Sequence, residues 1–344
     1  MIFSTQILKS NNNSLFVKEN KSIYEDKSLF VETLGYILNE GKQMDSLIAE
    51  SYSQQIMYEG IASDILKSAI KKIDPIKILF KLLQSFIDLL NKIWKNFHTF
   101  MLDFANKNQV IKRYKTKLMN IENKVYFPEE RYIYTNLGTT TSYTTFKNDL
   151  GKEYSSLILD LSKFRDYKTY ESLVLAIEKI KQELDLSDTY FDKVRGEIVG
   201  TQNSIAKENF ATELYKFFRN DGSPVSASNI SPNEIKRITT EYIDFSKILR
   251  SIQKDKSDME DEAKRLQKDI MSIKLENFVK DSIPEEVQRM FIRVLEDKAK
   301  RIKLTCDIYL QVFSAKLDAA KESYNQNNKI LITACKTIIK EELQ

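Results

Sequence analysis

Histidine and cysteine carry much of protein nucleophilic and metal chemistry, and this chain has one histidine and two cysteines. His98 alone rules out multi-histidine metal sites and argues against Ser-His-Asp machinery. A Cys–His pair would need His98 to meet Cys306 or Cys335. Each of those cysteines falls in a helical pattern, where a small buried thiol is the plainer reading, and two cysteines make no disulfide framework. The acidic run Asp258, Glu260, Asp261 and Glu262 lacks the glycine and spacing of a calcium loop and reads as a solvated helix face. The eight glycines never cluster into a phosphate-binding loop. No catalytic, cofactor-binding or metal-ligating residue is assigned, no cofactor is expected, and the chain is expected not to be an enzyme.

What the residues do specify is helix. Ser231-Pro232-Asn233-Glu234 is a capping box with proline at the first helical position, where its missing N–H costs nothing. Apolar residues then recur at three- and four-residue steps: Ile235, Ile238, Tyr242, Phe245, Leu249, Ile252, Met259, Ala263, Leu266, Ile270 and Ile273, interrupted only at Lys256. A repeat kept over about six heptads predicts one continuous helix with a stripe that other helix surface must cover. After Phe278, Ser282-Ile283-Pro284-Glu285-Glu286 signals a further helix running to Gln344. Its stripe includes Ile302, Cys306, Tyr309, Phe313, Leu317, Ala320, Tyr324, Leu331 and Ile338, and Asn325 to Asn328 is a place where it could bend or split. Two such neighbours are expected to fold back as an antiparallel, coiled-coil-like hairpin. Periodicity leaves open whether their seams close within one chain or between chains.

Asp74-Pro75 starts another helix, amphipathic over 75–105. Its apolar positions, Phe86, Leu90, Trp94 and Phe97 among them, leave only a narrow polar stripe at Lys77, Lys81, Gln84, Asp88, Asn91, Lys95 and Thr99. So wide an apolar face is buried on several sides or lies against something greasy. Charges at Lys81, Asp88, Lys92 and Lys95 break it well short of the roughly 20 apolar residues that a bilayer span needs. The central helix of a bundle is the preferred reading, and an interfacial membrane helix is the alternative. The basic run Lys112, Arg113, Lys115 and Lys117 falls on several faces and reads as solvated surface.

Composition changes over 125–147. Val125-Tyr126-Phe127-Pro128, Arg131-Tyr132-Ile133-Tyr134 and the run Thr139 to Phe146 predict a small β-hairpin element packed on a helix. Helix returns with Leu157, Leu161, Phe164, Leu173, Ile177, Ile180 and Leu184, then from Ser187 to the Gly196–Gly200 region, then from Ser204 to Arg219. Asn220 to Asn229 reads as a linker. The fold expected is mainly α: a long-helix bundle divided into an N-terminal helical region (1–124), the β-hairpin element (125–150), a middle helical region (151–220) and a coiled-coil region (231–344).

A net charge of +4 with interspersed signs argues against a dedicated DNA-binding domain, which is usually more basic and clustered, and leaves nonspecific contact as the fuller expectation of the two. The first residues lack a charged and then apolar leader pattern, so synthesis and folding in a reducing cytoplasm are expected. Abundant Lys, Asn and Ile hint at an AT-rich genome.

Three stretches resemble helical virion structural proteins of tailed bacteriophages that infect low-GC Gram-positive bacteria. They are Leu89-Leu90-Asn91-Lys92-Ile93-Trp94-Lys95-Asn96-Phe97 continuing to Val110-Ile111-Lys112-Arg113-Tyr114-Lys115; Phe217-Phe218-Arg219-Asn220-Asp221-Gly222; and Tyr309 to Ala320. Leu38-Asn39-Glu40-Gly41 and Ile48-Ala49-Glu50-Ser51 resemble sites cut by phage prohead proteases. The resemblance implies a non-enzymatic particle component, located in the virion, whose partners are copies of itself or other capsid or tail proteins. The residues singled out as a candidate interaction surface are Phe86, Leu90, Trp94, Phe97, Leu249, Ile252, Leu266 and Ile270. A membrane-active helical protein, pore-forming or delivering a genome through the helix 75–105, is the rival expectation.

Overall fold

The fold is that of a computed structural model, which describes residues 75–107, 109–138, 141–166, 168–185, 187–219, 224–225, 228–278 and 285–343. All of these belong to the unit Ala62–Gln344. The two protease-like contexts, the cap at Asp74 and the start signal at Ser282 lie outside the described residues. The fold is mainly α, with ten α-helices and one two-stranded sheet among the described residues.

Helix α1 (Pro75–Lys107) coincides with the predicted amphipathic helix, and short helices α2 (Gln109–Arg113) and α3 (Lys115–Met119) follow it. Strand β1 (Val125–Phe127) precedes α4 (Thr141–Asp166), α5 (Tyr170–Asp185), α6 (Ser187–Val199) and α7 (Lys207–Phe218). Strand β2 (Ser228–Ile230) leads into α8 (Pro232–Ile243), α9 (Ser246–Met271) and α10 (Glu285–Glu342).

The β element differs from expectation. The partner of β1 is the distant β2, paired antiparallel with Val125 opposite Ile230 and Phe127 opposite Ser228. Arg131 and Val225 extend the pairing by exchanging N–H···O bonds of 3.1 and 2.8 Å. The Thr-rich run predicted as strand becomes the start of α4. The reason is packing: buried Phe146, Leu150, Leu157, Leu161 and Phe164 form one helical stripe, which overrides the local β preference of threonine and tyrosine.

Four helices make the core. Helix α1 lies between α9 and α10, and α4 packs against the same two helices from the opposite side. Gln267 of α9 donates to the carbonyl of Phe80 at 3.3 Å, and Phe104 meets Tyr242 with ring centres 5.7 Å apart, so α1 runs antiparallel to α8–α9. Lys321 sits over the Phe100 ring and Tyr324 against Phe104, so α1 and α10 run parallel. Helices α8–α9 and α10 are therefore antiparallel, as expected. Helix α8 packs directly on α10, but α9 stands at the opposite corner, so no continuous coiled-coil-like seam forms between them. Helix α1, apolar around most of its circumference, fills the space between α9 and α10. Aromatic contacts link the corners: Phe86 stacks on Phe146 at 5.3 Å, Phe146 meets Tyr309 edge-on at 5.0 Å, and Phe164 meets Phe291 at 5.1 Å.

The predicted single helix from Ser231 is broken at Asp244. Its cap is as expected, with the Ser231 hydroxyl accepting from the Glu234 N–H at 3.2 Å. At the break, Ser246 Oγ donates to Asp244 Oδ1 at 2.5 Å. The Tyr324 hydroxyl donates to the Tyr242 carbonyl at 2.6 Å, an acceptor that the N–H four residues on would use in an unbroken helix. The kink turns both Tyr242 and Phe245 toward Tyr324. Helix α10 does not bend at Asn325–Asn328: it continues for 58 residues, about 87 Å at 1.5 Å per residue. Asn328 instead accepts from the Tyr242 hydroxyl at 3.1 Å.

One cross-core contact is ionic. Lys316 Nζ of α10 lies 2.6 Å from Asp255 Oδ2 of α9, and both side chains are only 2 % exposed. The heptad position read as Lys256 is thus occupied inward by Asp255. Lys316→Met alone leaves a buried carboxylate without its counter-charge and should cost about 3–5 kcal/mol. The double variant Lys316→Met/Asp255→Leu should recover most of that loss. Urea denaturation of the single and double variants checks both outcomes.

Candidate functional site

Six of the eight residues singled out as a partner surface are core residues of this chain. Phe86, Leu90, Phe97, Ile252, Leu266 and Ile270 are buried, whereas Trp94 and Leu249 are half-buried. The correction has a simple cause: the α1 and α9 stripes cover one another within the chain. The face of α1 that motivated the membrane alternative is occupied in the same way, and no described helix is long and apolar enough to cross a membrane. Trp94 rests between Phe97 and His98, with ring centres 5.9 and 5.8 Å away.

The residues with nucleophilic potential are held in unreactive settings. Cys306 and Cys335 are buried in α10 as free thiols. Desolvation raises the Cys306 thiol well above its usual range and pushes Cys335 up to about 11, so the reactive thiolate is disfavoured at both. In the acidic run, Glu260 is bridged by Lys256 and, at 2.6 Å, by Lys264, while Glu262 takes a two-pronged contact from Arg265 at 2.6 and 3.1 Å. Among the described residues, no three His, Cys, Asp or Glu side chains converge on a position that could hold a metal ion. An open surface depression of about 480 Å³ lies beside α1 and α9, lined by Phe80, Asp261, Lys264, Arg265, Gln267, Lys268 and Met271. Two of its cations, Lys264 and Arg265, are already paired to acids of α9.

The polar groups that converge do so along α10, at two places sequence reasoning passed over. In the first, the hydroxyls of Tyr134 and Tyr215 both donate to Glu322 Oε2, and the two hydroxyl oxygens are 3.4 Å apart. Asn136 Nδ2 donates to the Phe217 carbonyl at 2.5 Å, and the Arg219 guanidinium lies 4.3 Å from the centre of the Tyr132 ring and 4.9 Å from that of Tyr215. The loop after β1 is thereby clamped to α7 and α10. Burial first, and the Glu322 carboxylate second, raise the Tyr134 phenol far above its usual range and push Tyr215 up to about 12.

In the second, α4 meets α10 through charges. Lys298 Nζ lies 3.1 Å from Asp160 Oδ2 and donates to Ser156 Oγ at 2.5 Å, with Lys298 and Asp160 both 2 % exposed. Tyr309 donates to Asp149 Oδ2 at 2.8 Å. Asp149 and Glu153 have their carboxyls raised above the usual range, in each case chiefly by burial. A signal for these groups did exist: Lys298 and Lys316 stand at stripe positions of α10, one turn before Ile302 and one turn after Phe313. A periodicity traced through apolar residues alone does not register charged residues at such positions.

The chemistry of these groups is that of clamps. The tyrosines stay protonated through the neutral and alkaline range, and the carboxylates face hydroxyls and ammonium groups of their own chain. No protein-family model, curated protein or solved structure matches this chain.

Six phenols are raised chiefly by burial: Tyr134, Tyr154, Tyr190, Tyr215, Tyr309 and Tyr324. Their stabilising contribution is complete below the unfolded value of about 10 and is lost as pH rises above it, because only the unfolded chain then releases those protons. In an alkaline titration, part of the tyrosine absorbance change should appear only together with loss of helical circular dichroism. Because the α1 face is covered, Trp94 emission should keep its wavelength when anionic vesicles are added.

Proposed function

We propose that this chain is a non-enzymatic structural component of a tailed-bacteriophage virion, acting by helix packing with copies of itself or with capsid and tail proteins. The observation that carries the reading is the use made of α10. It is contacted by α1, α4 and α9's neighbour α8, and its buried polar groups join helices rather than converge on an open pocket. Such a molecule works as a rigid part. Because the long seams are filled within the chain, neighbours dock on its exterior, where Tyr126, Ile133, Leu159 and Leu175 are exposed apolar side chains. Isolated exposed apolar residues are ordinary on protein surfaces, so the particle itself is the test. Mass spectrometry of gradient-purified virions produced from the genome that encodes this chain should find its peptides at a fixed ratio to the major capsid protein. Their absence from particles, with a monomeric purified protein, would overturn the reading.

A further inference from the structure

Glu153 is one of the buried groups that the clamps do not satisfy. Its residue is 4 % exposed, and Oε2 has no hydrogen-bond partner. It sits on α4 where α6 and α10 converge. Asp149 and Asp160 of α4 and Lys298 and Arg301 of α10 act on it, and it acts on Tyr190 of α6; Lys152, Glu197 and Tyr309 act on the neighbouring Asp149, and Asp297 lies among the α10 cations. Helix α9 reaches the other side of α4, where Arg265 and Asp269 act on Tyr154. The inner positions of α5 are the apolar Leu173, Ile177 and Ile180.

The backbone fixes this assembly tightly. Helix α6 ends in a left-handed Gly200, φ 73°, with the Thr201 N–H bonded to the Gly196 carbonyl at 2.9 Å and the Gly200 N–H to that of Glu197 at 3.2 Å, the paired bonds of a Schellman cap. A side chain at Gly196 would put its Cβ 2.5 Å from the Asn203 carbonyl oxygen. Glycine at both positions therefore lets the following chain fold back along α6, where the Ile205 N–H bonds the Asp192 carbonyl at 3.2 Å. Within that frame Glu153 and Asp297 face Lys298 and Arg301, Lys298 is already engaged by Asp160 and Ser156, and Asp149 has Lys152 at 3.7 Å and the Tyr309 hydroxyl at 2.8 Å.

We propose that the junction of α4, α6 and α10 around Glu153 is a proton-regulated joint, held loosely near neutral pH and tightened when Glu153 and Asp149 take up protons. A buried carboxylate with an unbonded oxygen is more costly charged than neutral. If α4 lifts, both acids gain water, so the closed junction binds protons more readily than the open one. By linkage, closure strengthens as pH falls from neutrality toward the ordinary carboxylate range. It gains nothing further below about pH 4, where the open form is protonated too. The opposite sense applies at Glu234 of α8 and Glu260 of α9, whose carboxyls lie below their usual range beside arginine and lysine partners; their contribution is lost on acidification. The two directions separate the joint from a general response of the fold.

Amide hydrogen exchange of the full chain at about pH 7.5 and about pH 5.5, corrected for intrinsic exchange, tests the proposal. Protection of α4 and the facing half of α10 should rise roughly three- to tenfold at the lower pH, since each pKa unit of difference is tenfold, while the Ile252–Ile270 stretch of α9 should not rise. Glu153→Gln should raise α4 protection at the higher pH and remove most of the pH response. Wild-type protection of α4 that is flat or falling on acidification overturns the proposal, and does so without the variant. A Glu153→Gln protein that keeps the full response overturns it equally.

Discussion

The constraint on which the structure depends is the width of the apolar face of α1. A helix so apolar has to be covered on at least two sides, and in this chain α9 and α10 cover it. That requirement separates α9 from α10 and leaves a second groove between them, which α4 fills. The four-cornered core follows from one helix that cannot be left at the rim. The aromatic residues Phe86, Phe146 and Tyr309 mark where three of the corners meet.

Charge then sets register within this core. Apolar stripes tolerate a shift by a turn, whereas a buried lysine displaced by one turn from Asp255 or Asp160 would lose its counter-charge. Such pairs add little net stability over apolar residues of the same size, but they are expensive to break. Lys316 fixes α10 against α9, and Lys298 fixes it against α4. The two tyrosines on Glu322 do the same for the loop and for α7. The polar interior of this protein is concerned with alignment.

Much of this was legible beforehand. The helical class, the bounds of α1, the cap at Ser231 and the antiparallel sense of α8–α9 and α10 all follow from spacing and capping chemistry. The β1–β2 pairing was not legible, because strands joined across so long an interval leave no local mark. The start of α4 was hidden by threonine and tyrosine, which favour strands until Phe146 is seen to belong with Leu150 and Leu157. The Asp244 break was masked by apolar steps that stay in phase across it. The intended partner surface was misjudged for a physical reason: periodicity reports that a stripe is buried, and says nothing about what buries it. Of the buried charges, only the two lysines on the α10 stripe carried a warning.

The pairing of β1 with β2 has a topological consequence. The described segments between β1 and β2 begin and end at one place, sealed by the sheet and by the Arg131–Val225 bridge. The excursion from α4 to α7 thus has adjoining ends, while α4 and α7 within it pack on the core. Because the entropy of closing a loop grows only logarithmically with its length, the connections inside that excursion can lengthen or shorten over evolutionary time without moving the ends that the sheet joins.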